Sequence, residues 1–248
     1  MHTLYDASGQ HCWITVRESP TTRYLELHGC EEGAMFLRSE EPVFRYLWFH
    51  KASWLAESRA ARLLVLGAGA FTAPKCLALD HPHATVDAVD IEADLFPVAK
   101  RFFRLDQHAY RNVQFHGCGA DEFLAQAGSY DFVFDDLFDG FLHVPSASRT
   151  LPHFERMAHV LAEGGVCVKN VIWDPKIADT RAACQEAENA LRRVFPSTLV
   201  LALGNVERGH NRLLIGKKLP GGLDWSRALD QLLKSGMSLD ILQATRTV

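Results

Sequence analysis

Leu63-Leu64-Val65-Leu66-Gly67-Ala68-Gly69-Ala70-Phe71-Thr72 is an aliphatic run, then a glycine turn, then the opening of a helix. Consecutive branched aliphatics suit a strand covered on both faces, as in a parallel sheet. Gly67 and Gly69 let the chain turn sharply and bring bare backbone N–H groups close to a ligand. Pro74 fits the first turn of a helix, where no N–H partner is lost. Two glycines alone also describe an ordinary strand-to-helix turn. The next strand, Thr85-Val86-Asp87-Ala88-Val89-Asp90, ends in a carboxylate. It lies roughly 20 residues beyond the turn, where an acid can accept hydrogen bonds from ribose hydroxyls. Helix capping is the other reading of Asp90, and Glu92 and Asp94 also suit a helix's positive end.

Working outward, strands and helices alternate from Ala61 onward. Helices are expected over Ala73–Leu79, Leu95–Phe103, Asp121–Ala127 and Leu151–Leu161, and strands over Val113–His116 and Tyr130–Phe134. Gly164-Gly165 turns into the strand Val166-Cys167-Val168, and a long helix follows with Ala183, Ala187, Ala190, Leu191 and Val194 on one face. Leu199–Leu203 and Arg212–Ile215 form a closing strand pair, with Gly204-Asn205 and Gly209-His210-Asn211 between them; Leu223–Leu233 is a last helix. Upstream, Cys12–Val16, Thr22–Leu27 and Ala34–Leu37 read as a small antiparallel appendage. Phe44, Leu47, Trp48, Lys51 and Leu55 recur at helical spacing behind Pro42. The expected fold is α/β, a doubly wound and mainly parallel sheet with a small N-terminal β-appendage. Residues 1–50 hold the appendage and the start of a linking helix, and residues 51–248 a Rossmann-like nucleotide-binding domain.

The 248 residues are 48% hydrophobic and 23% charged, enough for a large core. A formal charge of -4 provides no global basic field, so nucleic acid is not an expected partner. No apolar run reaches the roughly 18 residues of a membrane span, and Met1-His2-Thr3-Leu4-Tyr5-Asp6 lacks a signal peptide's pattern. The six scattered cysteines read as reduced residues of a cytoplasmic protein. His81-Pro82-His83, His153 and His159 show no metal-ligand spacing, so no metal is expected.

The most chemical stretch is Tyr130-Asp131-Phe132-Val133-Phe134-Asp135-Asp136-Leu137-Phe138-Asp139-Gly140, a strand that ends in an acidic loop. Clustered carboxylates attract cations and raise one another's pKa values; a merely solvated loop is the alternative. With Tyr130, Asp131, Asp136, Asp139 and Gly140 in this order, the chain resembles the spermidine synthase family, the polyamine aminopropyltransferases. Asp90-Ile91-Glu92 is similar to that family's Glu-Ile-Asp. Val144-Pro145 and Leu161-Ala162-Glu163-Gly164-Gly165-Val166 resemble its following segments, and Tyr46 resembles a tyrosine lining its amine site. The likeness runs from about Ile14 to Ile215.

The resemblance implies a methyltransferase-like Rossmann fold and aminopropyl transfer from decarboxylated S-adenosylmethionine to a small amine, releasing methylthioadenosine. It implies catalytic Asp136 and Asp139, and a donor site of Gly67, Gly69, Asp90, Ile91, Gly119, Ala120 and Asp136. Tyr46 and Asp139 would hold the acceptor, in a cytoplasmic homodimer. Three departures stand out. Ala70 and Gly119 replace family aspartates, with Asp121 as a displaced substitute for the second. Leu47 and Trp48 follow Tyr46 where synthases often carry Gln and Glu, which argues against an ordinary diamine. The alternatives are an S-adenosylmethionine-dependent methyltransferase, its ligand carboxylate on backbone N–H groups near Gly69 to Thr72, and an inactive nucleoside-binding relative.

Overall fold

The structure is a computed structural model that describes residues 1–56, 60–140, 143–204, 209–220, 223, 225–237, 239–243 and 245–247. The chain opens with an antiparallel sheet of β1 (His2–Ser8), β2 (Trp13–Glu18), β3 (Thr22–Leu27) and β4 (Cys30–Phe36), paired in that order. This appendage is larger than its pattern suggests. The edge strand β1 buries little and so lacks a clear alternation, and β4 begins earlier, in the polar Glu31-Glu32.

A 3-10 helix over Arg45–Leu55 leads to the main sheet. Its buried side chains fall on two ridges of spacing three, Leu47-His50-Ser53 and Phe49-Ala52-Leu55, which suits a helix with about three residues per turn.

The main sheet contains β5 (Arg62–Leu66), β6 (Thr85–Asp90), β7 (Val113–Gly117), β8 (Tyr130–Asp135), β9 (Leu161–Trp173), β10 (Ser197–Leu203), β11 (His210–Lys217) and β12 (Thr245–Thr247). Its order is β12-β10-β11-β9-β8-β5-β6-β7. From β7 to β9 every neighbouring pair is parallel; β11, β10 and β12 add antiparallel pairs. The helices are α1 (Thr72–Asp80), α2 (Leu95–Phe102), α3 (Ala120–Gln126), α4 (Leu151–Val160), α5 (Ala178–Val194), α6 (Trp225–Lys234) and α7 (Leu239–Gln243). His210 and Asn211 belong to β11, not to the expected turn, and Asn205 lies outside the described residues. No described helix is long and apolar enough to cross a membrane.

Alternate strand residues face opposite layers. Leu63, Val65, Phe132 and Phe134 share a core with Ile14, Val16 and Leu25 of the small sheet and with Phe49 of the 3-10 helix. Leu64, Leu66 and Val133 pack instead on Phe154 and Met157 of α4 and Leu191 of α5. The small sheet is thus welded to one face of the large one. From β5 the chain winds outward to β6 and β7, then crosses back to β8 beside β5. That reversal opens a crevice at the carboxyl ends of β5 and β8, where open α/β sheets bind ligands.

Candidate active site

β5 ends in the glycine turn and β8 in the acidic loop, and the two are packed together. Asp136 N donates to Leu66 O at 2.8 Å. Gly67 has φ +86°, and a Cβ there would lie 2.4 Å from Asp136 O, so only glycine fits. Asp90, at the end of β6, accepts from Ala68 N (2.8 Å), Gly69 N (3.4 Å) and Glu92 N (3.0 Å). A carboxylate has about four acceptor positions, which leaves room for a ribose hydroxyl. Burial outweighs these amides and raises the Asp90 carboxyl. Ile91 beside it is 56% exposed, an apolar side chain free to lie against a base.

Asp136 is held from two sides. Tyr46 OH donates to Oδ2 at 2.9 Å, and Asn170 Nδ2 to Oδ1 at 2.8 Å; Asn211 in turn donates to Asn170 Oδ1 at 3.0 Å. Burial raises the Asp136 carboxyl to about 6 against the pull of these donors. The 3-10 helix therefore brings Tyr46 to the acidic loop across 90 residues of sequence. Asp139 lies farther out, with a half-exposed side chain paired to His143.

Below the loop runs a buried ionic network. The register that sets Asp135 opposite Lys169 puts Asp136 beside Asn170 on the other face. Asp135 and Lys169 are both 0% exposed, and their oxygen and nitrogen are 2.9 Å apart. His153 Nε2 lies 2.8 Å from Asp135, and its Nδ1 3.0 Å from Asp121. Burial would raise the Asp135 carboxyl, but Lys169 and His153 outweigh it and hold it low. Asp121 is also paired with Arg156 at 3.4 Å. Both partners of Asp121 thus come from α4.

The two missing acids differ physically. Gly119 caps α3 at φ -66° and ψ 144°, and a Cβ there would touch nothing within 4 Å. Ala70 is 3% exposed and has the small sheet pressed upon it. A Cβ on Gly33 would lie 2.5 Å from Ala70 Cβ. Thr72 Oγ1 donates to Ala34 O at 3.1 Å, so β4 covers the start of α1.

That covering strand delivers a residue which the sequence reading missed. Glu32 is half-buried, and its carboxyl is raised to about 7 by burial and by the charges of Asp136, Asp90 and Asp139. Carboxylates of the main sheet and its loop therefore act on one from the small sheet. Beside it opens a cavity of about 430 Å³ with Glu32, Tyr46, Asn170 and Asn211 on its polar wall; Phe44, Phe138 and Ile172 are apolar lining. The signals for Glu32 and Asn170 were faint: an acid before Gly33 within a strand, and an amide in the apolar run of β9.

A second clamp joins the sheets. Glu92 accepts from Gln10 N (3.1 Å), His11 N (2.6 Å) and Cys12 N (3.1 Å) in the turn between β1 and β2. Burial pushes the Glu92 carboxyl up, but these amides and that of Asp94 outweigh it and hold it below the usual range. A second cavity, of about 380 Å³, lies beside Asp87, which is spent on Tyr130 OH (2.7 Å), His116 (2.8 Å) and Arg62 (3.2 Å). Among the described residues no cluster of His, Cys, Asp and Glu has the arrangement of a metal site.

No protein-family model matches the chain. A polyamine aminopropyltransferase from Vibrio vulnificus (strain CMCP6) is 27% identical over 144 residues, 56% of this chain and 47% of that protein. The chain spans about half the length of this curated relative. A probable spermidine synthase from Corynebacterium glutamicum superposes at a TM-score of 0.81 with 19% identity, covering 100% of this chain and 91% of that one. Human methyltransferase-like protein 13, solved with SAH, gives a TM-score of 0.63 and 18% identity over 77% of this chain and 90% of that one. The fold is the one these synthase and methyltransferase structures share.

Proposed function

We propose that this spermidine synthase-like chain transfers an aminopropyl group from decarboxylated S-adenosylmethionine to a small amine and releases methylthioadenosine. One observation carries the reading. Asp136, its carboxyl near 6, is held beside the nucleoside-type turn by Tyr46 and Asn170, and these two line the cavity. A base of that strength is ionised at neutral pH and can take a proton. In this reading Gly67, Gly69, Asp90, Ile91, Gly119 and Ala120 hold the adenosyl group, while Tyr46 and Asp139 orient the acceptor. The amine nitrogen attacks the propyl carbon bonded to the sulfonium. As the C–N bond forms, the C–S electron pair stays on sulfur, which leaves as the neutral thioether. The nitrogen's surplus proton passes to Asp136. Free cysteines throughout the chain fit a reducing cytoplasm.

Methyl transfer uses a donor that carries a carboxylate. Of the amides that would receive it, Gly69 N is spent on Asp90 and Phe71 N on Ala68 O at 2.7 Å, and β4 covers the start of α1. The ring of acids would also repel it. The deciding experiment is release of methylthioadenosine from the decarboxylated donor across a panel of amines, beside a methylation assay with S-adenosylmethionine. Methylation without any aminopropyl product overturns the proposal.

A further inference from the structure

We infer that Glu32 receives the primary ammonium of the donor's propyl chain, so that the small sheet, and not the glycine turn, reads that end of the molecule. The inference rests on the aminopropyl reading and adds a residue to it.

Register comes first. β3 and β4 pair Leu25 with Gly33 and then Glu26 with Glu31, so Glu32 is an extra residue that faces no partner. Such a bulge turns a side chain out of the regular alternation. Here it seats on the glycine turn, with Glu32 O 3.2 Å from where a Gly69 Cβ would stand and Gly33 against Ala70. The space for a longer side chain at Ala70 is therefore filled by the same bulge that brings in Glu32.

Charge and hydrogen bonding come second. Asp90 has three amide donors, Asp136 has Tyr46 and Asn170, and Asp139 has His143. Among the described residues none donates to Glu32. A half-buried carboxylate with acids for neighbours and no donor favours an ammonium ligand. Glu32 feels Asp90 on the ribose side and Asp136 on the reacting side. In this reading the propyl chain of an adenosyl group held on Asp90 runs toward Asp136 and meets Glu32 at the wall of the cavity from which the acceptor enters. A carboxylated donor would place a further anion among Glu32, Asp90 and Asp136, so the same residue selects the decarboxylated form.

Calorimetric titration with decarboxylated S-adenosylmethionine and with methylthioadenosine tests this, because only the first carries the propylammonium. In Glu32→Gln the first should bind about 10- to 100-fold more weakly, as for loss of a charged hydrogen bond. Methylthioadenosine should bind as in the wild type, which also shows that the variant is folded. Glu32→Ala should behave alike, and both should narrow the preference over S-adenosylmethionine. Equal weakening of both nucleosides, or no weakening of the donor, overturns the assignment. A wild type that binds the donor but aminopropylates no amine sinks the transfer reading, and the ratio of the two affinities still decides Glu32. Binding of neither nucleoside overturns both.

Discussion

At the residue scale the proposed chemistry rests on Asp136 and its holders. If Asp136 is the base, Asp136→Asn should lower turnover by about 100- to 10,000-fold with little change in nucleoside binding. Wild-type rate should rise with pH through about 6, where Asp136 is half ionised, and level off at higher pH as its ionisation completes, for a given concentration of free amine. Stability should run the other way. A carboxyl raised from 3.8 to about 6 in the fold favours the folded state below 3.8 and loses that contribution as pH rises through 6. The amide can accept from Asn170 and donate to Tyr46, so Asp136→Asn should be more stable than wild type at pH 8, by roughly 1–2 kcal/mol. That margin should vanish near pH 4, as urea denaturation at the two values would show. Lys169 carries the opposite kind of weight. Lys169→Met removes a cation from a fully buried carboxylate and should cost about 3–5 kcal/mol. Asp90, Asp136 and Asp139 were legible as candidates because each follows a strand or sits in a recognisable loop. Glu32 was not, because an acid inside a polar strand reads as solvated until the bulge is seen.

At the element scale two glycines make opposite predictions. Gly67 holds a positive φ against Asp136 O, so Gly67→Ala strains the turn and pushes the acidic loop away at once. It should cost about 2–3 kcal/mol in thermal unfolding and abolish nucleoside binding. Gly119 has ordinary dihedral angles and open surroundings. Gly119→Asp should be accepted and, as a better helix cap for α3, should raise stability by a few tenths of a kcal/mol. The same acid should tighten nucleoside binding in calorimetry if Gly119 faces the base. The parallel core was readable from its aliphatic runs. The 3-10 helix was readable as a helix but not in type, since spacings of three and four both satisfy an apolar face. β1, an edge strand with few buried positions, gives almost no periodic signal, and the pairing of Asp135 with Lys169 depends on a register that no local pattern specifies.

At the scale of the whole molecule, two sheets meet around one crevice. Glu92 anchors the β1–β2 turn to the end of β6, while the bulge of β4 rests on the turn after β5. Glu92→Gln loses the charge that Gln10, His11 and Cys12 share. Their amides should exchange hydrogen faster by about tenfold or more, with main-sheet amides unchanged. The bulge has a further consequence. A molecule bridging Asp90 on one sheet and Glu32 on the other is a rivet between them, and undocking the small sheet would expel it. Occupancy then adds RT ln(1 + [L]/Kd) to the cost of undocking. Amides of β3 and β4 should accordingly slow with the concentration of the decarboxylated donor. Methylthioadenosine lacks the propylammonium and, at equal saturation, should leave them almost as fast as before.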